Sequence, residues 1–146
     1  MQTIKALAIG VIATVMLLAA PAQAKEDKSM GLFINLTMLA TVPAGHALHM
    51  AEKQMERGHP VTFFLNNQAV LFASKQTPLG KFHMAGKTVR EMLTNAMAKG
   101  ATVIVCQMCA KMNGLDPSDF IEGAMLGNPE LVAEYLFDPS YQVLSW

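Results

Sequence analysis

Val103-Ile104-Val105-Cys106-Gln107-Met108-Cys109-Ala110-Lys111-Met112-Asn113-Gly114-Leu115 is the stretch on which the reading of this chain turns. Residues 102–105 are β-branched and show no polar alternation. That is the pattern of a central strand covered on both faces in a parallel sheet. The two cysteines of the chain follow at once, so both thiols fall at the carboxyl end of the strand, the edge where open α/β sheets bind ligands and carry out chemistry.

Just upstream lies the clearest helix, residues 88–99. Thr88 and Glu91 make a capping box, Val89, Met92, Leu93, Ala96 and Met97 form an apolar stripe, and Gly100 stops it. A strand–helix–strand unit joined so tightly crosses over right-handedly and places the helix on one face of a parallel sheet. Further upstream, residues 31–37 and 61–65 read as buried strands. The helix between them carries Pro43 in its first turn, presents Ala44, Ala47, Leu48, Ala51 and Met55 to the sheet, and ends at Gly58. A short apolar segment at 69–73 precedes a Pro/Gly-punctuated loop, residues 75–86, long enough to be read either as a lid over the cysteine edge or as a surface excursion with no role. Downstream, Asp116, Pro117 and a Leu115–Phe120 staple predict a further helix start. Residues 123–126 read as a short strand, 128–137 as a capped helix and 141–146 as a last strand. The sequence of elements describes a single small doubly wound α/β domain of about five mostly parallel strands with helices on both faces.

Residues 1–24 stand outside that pattern. Lys5 precedes an apolar run over 6–20, too short to span a bilayer comfortably, and Ala22-Gln23-Ala24 has the form of a cleavage site. We read a cleaved secretory signal peptide, which places the domain, residues 25–146, in the periplasm or outside the cell, where thiols meet oxidants. After residue 24 ten basic and eleven acidic residues remain. That near-balance provides no basic field for nucleic acid or for an anionic membrane surface. Ten of the twelve methionines also remain, and such flexible side chains are expected as filler in an irregular core. His46 and His49 share one helix stripe with Lys53 and Glu56 but have no third ligand nearby in sequence, so a solvated pair is expected.

Cys106-x-x-Cys109 opening a helical turn has several chemical uses, all of which depend on a thiolate that a helix N-terminus favours. The pair can carry sulfur as a persulfide, exchange disulfides, or bind a soft metal. In the metal reading, Cys106 and Cys109 hold Cu(I) or Zn with thioether help from Met108, Met112 or Met38. A structural disulfide is a fourth possibility, but closing so short a loop constrains the unfolded chain little.

With these residues in place the chain resembles the DsrE/DsrF/TusD-like sulfur-relay proteins, in particular their YchN-like, stand-alone branch. The resemblance rests on residues 31–58, the Gly58-His59-Pro60-Val61-Thr62-Phe63-Phe64-Leu65 segment, Val105-Cys106, Cys106-x-x-Cys109 followed by Gly114-Leu115, and the closing Gln142-Val143-Leu144-Ser145-Trp146. It implies a sulfur carrier or sulfurtransferase-like relay with Cys106 as the persulfide-bearing nucleophile and Cys109 as a second, resolving thiol. It also implies a protein or small-molecule sulfur donor and acceptor, no required cofactor beyond the covalent persulfide, and a homotrimer or homohexamer. The Arg-Gly usual in the family is here Asn113-Gly114, which leaves Lys111 as the nearby cation for an anionic persulfide. The alternatives are a periplasmic Cu(I)- or Zn-binding protein and a thiol–disulfide oxidoreductase.

Overall fold

The computed structural model describes residues 27–146, so the leader read as a signal peptide lies outside the described residues. Five strands, β1 (Gly31–Leu36), β2 (Val61–Leu65), β5 (Thr102–Cys106), β6 (Met125–Gly127) and β7 (Tyr141–Ser145), form one sheet in the order β6-β5-β2-β1-β7. Every neighbouring pair in it is parallel. The helices are α1 (Thr41–Glu56), α2 (Val89–Ala98), α3 (Gln107–Met112) and α4 (Pro129–Leu136), and a small antiparallel hairpin, β3 (Lys81–Phe82) with β4 (Lys87–Thr88), stands apart. The expected α/β domain with helices on both faces is what the chain forms.

The handedness of parallel crossovers explains which helix lies where. From β1 to β2 to β5 to β6 the chain always steps in the same direction across the sheet, so right-handed connections put α1, α2 and α3 on one face. There Ala47 and Leu48 of α1, Leu93 of α2 and Ala110 of α3 join Ile34, Phe63, Val103 and Val105 in a single buried cluster. Each fully buried Leu or Phe of that cluster contributes about 1.5–3 kcal/mol. From β6 to β7 the chain travels back across the whole sheet, and the same rule puts α4 on the opposite face. Tyr135 of α4 stacks there on Phe33 of β1, at 5.5 Å between ring centres. One eight-residue helix is the cover that face receives from the connections.

Several expectations need correction. β5 is an interior strand, but β2 occupies the centre and only the three-residue β6 lies outside β5; an apolar run marks burial on both faces and does not rank interior strands. The helix expected after Leu115 is a single 3-10 turn, Pro117–Asp119. Phe120 and Ile121 are drawn into the core, and the Lys75 and Ile121 amides bond the carbonyls of Asp119 and Ala73, so tertiary pairing replaces helical pairing. The apolar segment before the loop is a buried 3-10 helix, Asn67–Phe72. Among the described methionines Met92 is buried and Met50, Met55 and Met97 pack partly buried against the core, so the expected filler role holds for these, while Met38, Met84, Met108, Met112 and Met125 are exposed.

The 75–86 loop is not a lid. Phe82 is fully buried against α1, where Gly45 leaves it room: a Cβ at Gly45 would lie 2.4 Å from the Phe82 ring. His46 meets the same ring edge-on while staying exposed, as expected of a solvated face, and the half-buried His49 borders a small hollow of about 60 Å³ between α1 and α2 with Glu52 and Lys99. Arg90 of α2 donates to the Thr77 carbonyl and holds the start of the loop. Among the described residues no helix is long and apolar enough to cross a membrane.

Candidate functional site

Adjacent strands β5 and β6 send their connections to opposite faces: β5 continues into α3 on one side and β6 into α4 on the other. Such a switch point opens a crevice at the carboxyl ends of the two strands, because no connection covers it. Cys106 ends β5 at this position and pairs in register with Gly127 at the end of β6. The absent side chain matters, since a Cβ on Gly127 would lie 2.3 Å from Cγ2 of Ile104. The result is a groove of about 770 Å³ between α3 and α4, floored by Cys106, Gly127 and Phe64 and walled by Val132, Leu136 and Phe137. Neither residues 38–43 nor the 75–86 loop lines it, so Cys106 does not lie beneath the loop read from sequence as a possible lid. The hairpin is held on α1 by Phe82, and α4 takes its place as the cover.

Cys106 and Cys109 are both half-buried free thiols, with their sulfurs 2.7 Å apart. The Cys106 thiol donates to Sγ of Cys109, and the Cys109 amide donates back to Sγ of Cys106 at 3.3 Å. Burial, followed by the hydrogen bond to the Cys109 thiol, pushes the Cys106 thiol above its ordinary value, and the amides of Cys109 and Met108 only partly offset this. The expectation that a helix N-terminus lowers it is therefore not met. α3 has six residues, and desolvation penalises the thiolate more than its amides favour it. Cys106 rests as a thiol that must lose its proton before attacking, and Cys109 lies near enough to attack a sulfur carried on Cys106.

Asn113, read from sequence only as a missing arginine, does structural work at this site. Its Nδ2 donates to the Cys109 carbonyl at 2.8 Å and to the Asn67 carbonyl at 3.3 Å, tying the end of α3 to the turn after β2. Asn67 has a φ of 47°, a conformation Asn tolerates better than most residues. Lys111, the nearby cation noted in sequence, lines the same groove as Cys106. Of the methionines proposed as soft ligands, Met108 lines the groove at 72% exposure, Met112 is 79% exposed, and neither it nor Met38 reaches the groove. Among the described residues no group of three or more His, Cys, Asp or Glu stands together to hold a metal. The α4 wall was missed by sequence reasoning, although the long return from β6 to β7 and the handedness rule together would have located it.

The sequence model of the DsrE/DsrF-like family matches residues 13–146. An uncharacterized protein of Methanocaldococcus jannaschii, MJ0989, is 36% identical over 80 residues, covering 55% of this chain and 67% of the relative. The crystal structure of YchN from E. coli superimposes with a TM-score of 0.66 at 19% identity, over 80% of this chain and 99% of YchN. MTH1491, a protein of unknown function from Methanobacterium thermoautotrophicum, gives the same score and coverage at 7% identity. These two similarities establish a common fold.

Proposed function

This chain belongs to the DsrE/DsrF-like family, whose members act in sulfur relay with partner proteins, and on that premise we propose that it carries sulfane sulfur on Cys106 as an exported relay protein. The observation that supports this most directly is the thiol pair, 2.7 Å apart, at the open switch point of the sheet. In the loading step the deprotonated Cys106 attacks the outer sulfur of a donor persulfide. The donor's S–S bond breaks, its electron pair leaves on the donor sulfur, and Cys106 becomes a persulfide with no net oxidation or reduction. An acceptor thiolate can then take the outer sulfur and return Cys106 to a thiol. If no acceptor arrives, Cys109 can attack Sγ of Cys106, which forms the disulfide and releases hydrosulfide. Cys109 thus acts as a resolving thiol, and the protein is a carrier more than a turnover enzyme.

Export is supported by the leader pattern of residues 1–24 and would place the domain in the periplasm or outside the cell. Assembly into a homo-oligomer, a trimer or hexamer, is supported by the apolar side chains of Met125 and Val143 on the two edge strands, both substantially exposed on the single chain. Intact mass and elemental analysis of protein purified without reductant test the reading. Mass greater by one sulfur atom supports the carrier. A disulfide, two hydrogens lighter, together with no sulfur gained by Cys109→Ser on exposure to polysulfide, favours the thiol–disulfide oxidoreductase, and stoichiometric copper or zinc favours the metal-binding protein.

A further inference from the structure

We propose that the groove beside Cys106 is the binding site for a small organic persulfide with an apolar body and one anionic group, and that such a molecule is the sulfur donor. This rests on the reading of Cys106 as the sulfur-accepting thiol and adds the class of substrate that it takes. The groove, about 770 Å³, falls within the range typical of small-molecule sites, roughly 300–1,000 Å³. Hydrosulfide or thiosulfate occupies only a small fraction of that volume. Phe64, Val132, Ala133, Leu136 and Phe137 line it with hydrocarbon. Gln107 and Asn128 supply the polar side chains of the lining besides Lys111, so a strongly polar donor would lose water over most of the groove with few hydrogen bonds in return.

The charge pattern narrows the class further. Among the described residues, Lys111 is the one ionisable side chain lining the groove apart from the Cys106 thiol, and no carboxylate lines it. Among the described residues Lys111 has no carboxylate partner. A groove with apolar walls and a single cation among its lining residues, carried on the helix that Cys106 caps, is complementary to an aliphatic body bearing one carboxylate or thiolate-type anion. The step is the balanced transfer given above: Cys106 loses its proton and takes the outer sulfur, and the organic thiolate leaves with the electron pair and picks up a proton. No oxidant or reductant is consumed.

The test follows sulfur gain on Cys106 by intact mass against donor concentration, in a Cys109→Ser background where the added sulfur is not lost to the disulfide. The donors are the persulfides of mercaptohexanoic acid, mercaptohexanol and glutathione, together with inorganic polysulfide. Loading from the mercaptohexanoic persulfide should saturate at a concentration about tenfold lower than loading from the alcohol or from glutathione persulfide. Lys111→Gln should erase the difference between acid and alcohol. The double substitution Leu136→Ser with Phe137→Ser, at positions 44% and 84% exposed and so tolerant of change, should lower the preference for mercaptohexanoic persulfide over polysulfide about tenfold. Equal loading from all four donors, or a preference unchanged by that double substitution, overturns the proposal while leaving the carrier reading intact. A double variant that falls to a smaller assembly in light scattering with its donor preference unchanged shows instead that a second copy covers the groove, and overturns it too. If no donor loads Cys106, polysulfide included, the carrier reading itself fails.

Discussion

Cys106 is set by two opposed influences, and the balance has a measurable consequence. Burial and the neighbouring Cys109 thiol hold it protonated beyond the ordinary thiol range, against the pull of two amides. Only the thiolate attacks, so alkylation of Cys106 by iodoacetamide should keep accelerating above pH about 8.5, the usual thiol midpoint. Cys109→Ala removes both a hydrogen bond and a nearby charge that raise it, and should move the midpoint down. A wild-type midpoint below that of a free cysteine would contradict the account. The sequence shows where the thiols lie but not their acidity, because desolvation depends on Phe64 and on the α4 wall, far away in the chain. Asn113 shows the same limit: a departure from the family pattern in sequence is, in three dimensions, the side chain that ties α3 to the turn after β2.

Elements whose signals are local were legible, and those made by distant contacts were not. The start of α2 is an example of the first kind: Thr88 and Glu91 exchange hydrogen bonds as their spacing predicts. The β3–β4 hairpin is of the second kind, since the socket for Phe82 is Gly45, on another helix. Glycine inside a helix normally costs about 1 kcal/mol relative to alanine, so Gly45→Ala would ordinarily stabilise. Here its Cβ meets the Phe82 ring at 2.4 Å, and we expect a net loss of about 1–3 kcal/mol in urea unfolding. In a Phe82→Ala background the same change should become stabilising, a reversal that identifies the contact; the same sign in both backgrounds would refute it. Gly127→Ala should likewise cost about 1–3 kcal/mol by pressing on Ile104. It should also slow sulfur loading by raising the floor of the groove, and an unchanged unfolding midpoint would show that the strands simply part to admit it.

At the scale of the whole molecule, a reversal in the path of the chain creates the site. Three connections cover one face, a fourth returns over the other, and the crevice opens where their directions part, at the end of β5. The buried strands and their parallel order could be read from sequence because each carries its own apolar run. The position of β5 beside the centre, and the thin cover on the α4 face, could not, because both depend on where β6 and β7 pair. The apolar side chains left exposed on the edge strands β6 and β7 lead us to expect a multiple of the single-chain mass in light scattering at micromolar concentration, and a monomer there would remove the oligomer from the account. The most direct test of sulfur carriage is intact mass after brief polysulfide treatment of the wild type, Cys106→Ser and Cys109→Ser. We expect Cys109→Ser to hold one added sulfur atom stably, the wild type to gain it and then pass to a disulfide two hydrogens lighter than the free dithiol, and Cys106→Ser to gain none. A Cys106→Ser protein that takes up sulfur as readily as the wild type would contradict the assignment of Cys106 as the carrier.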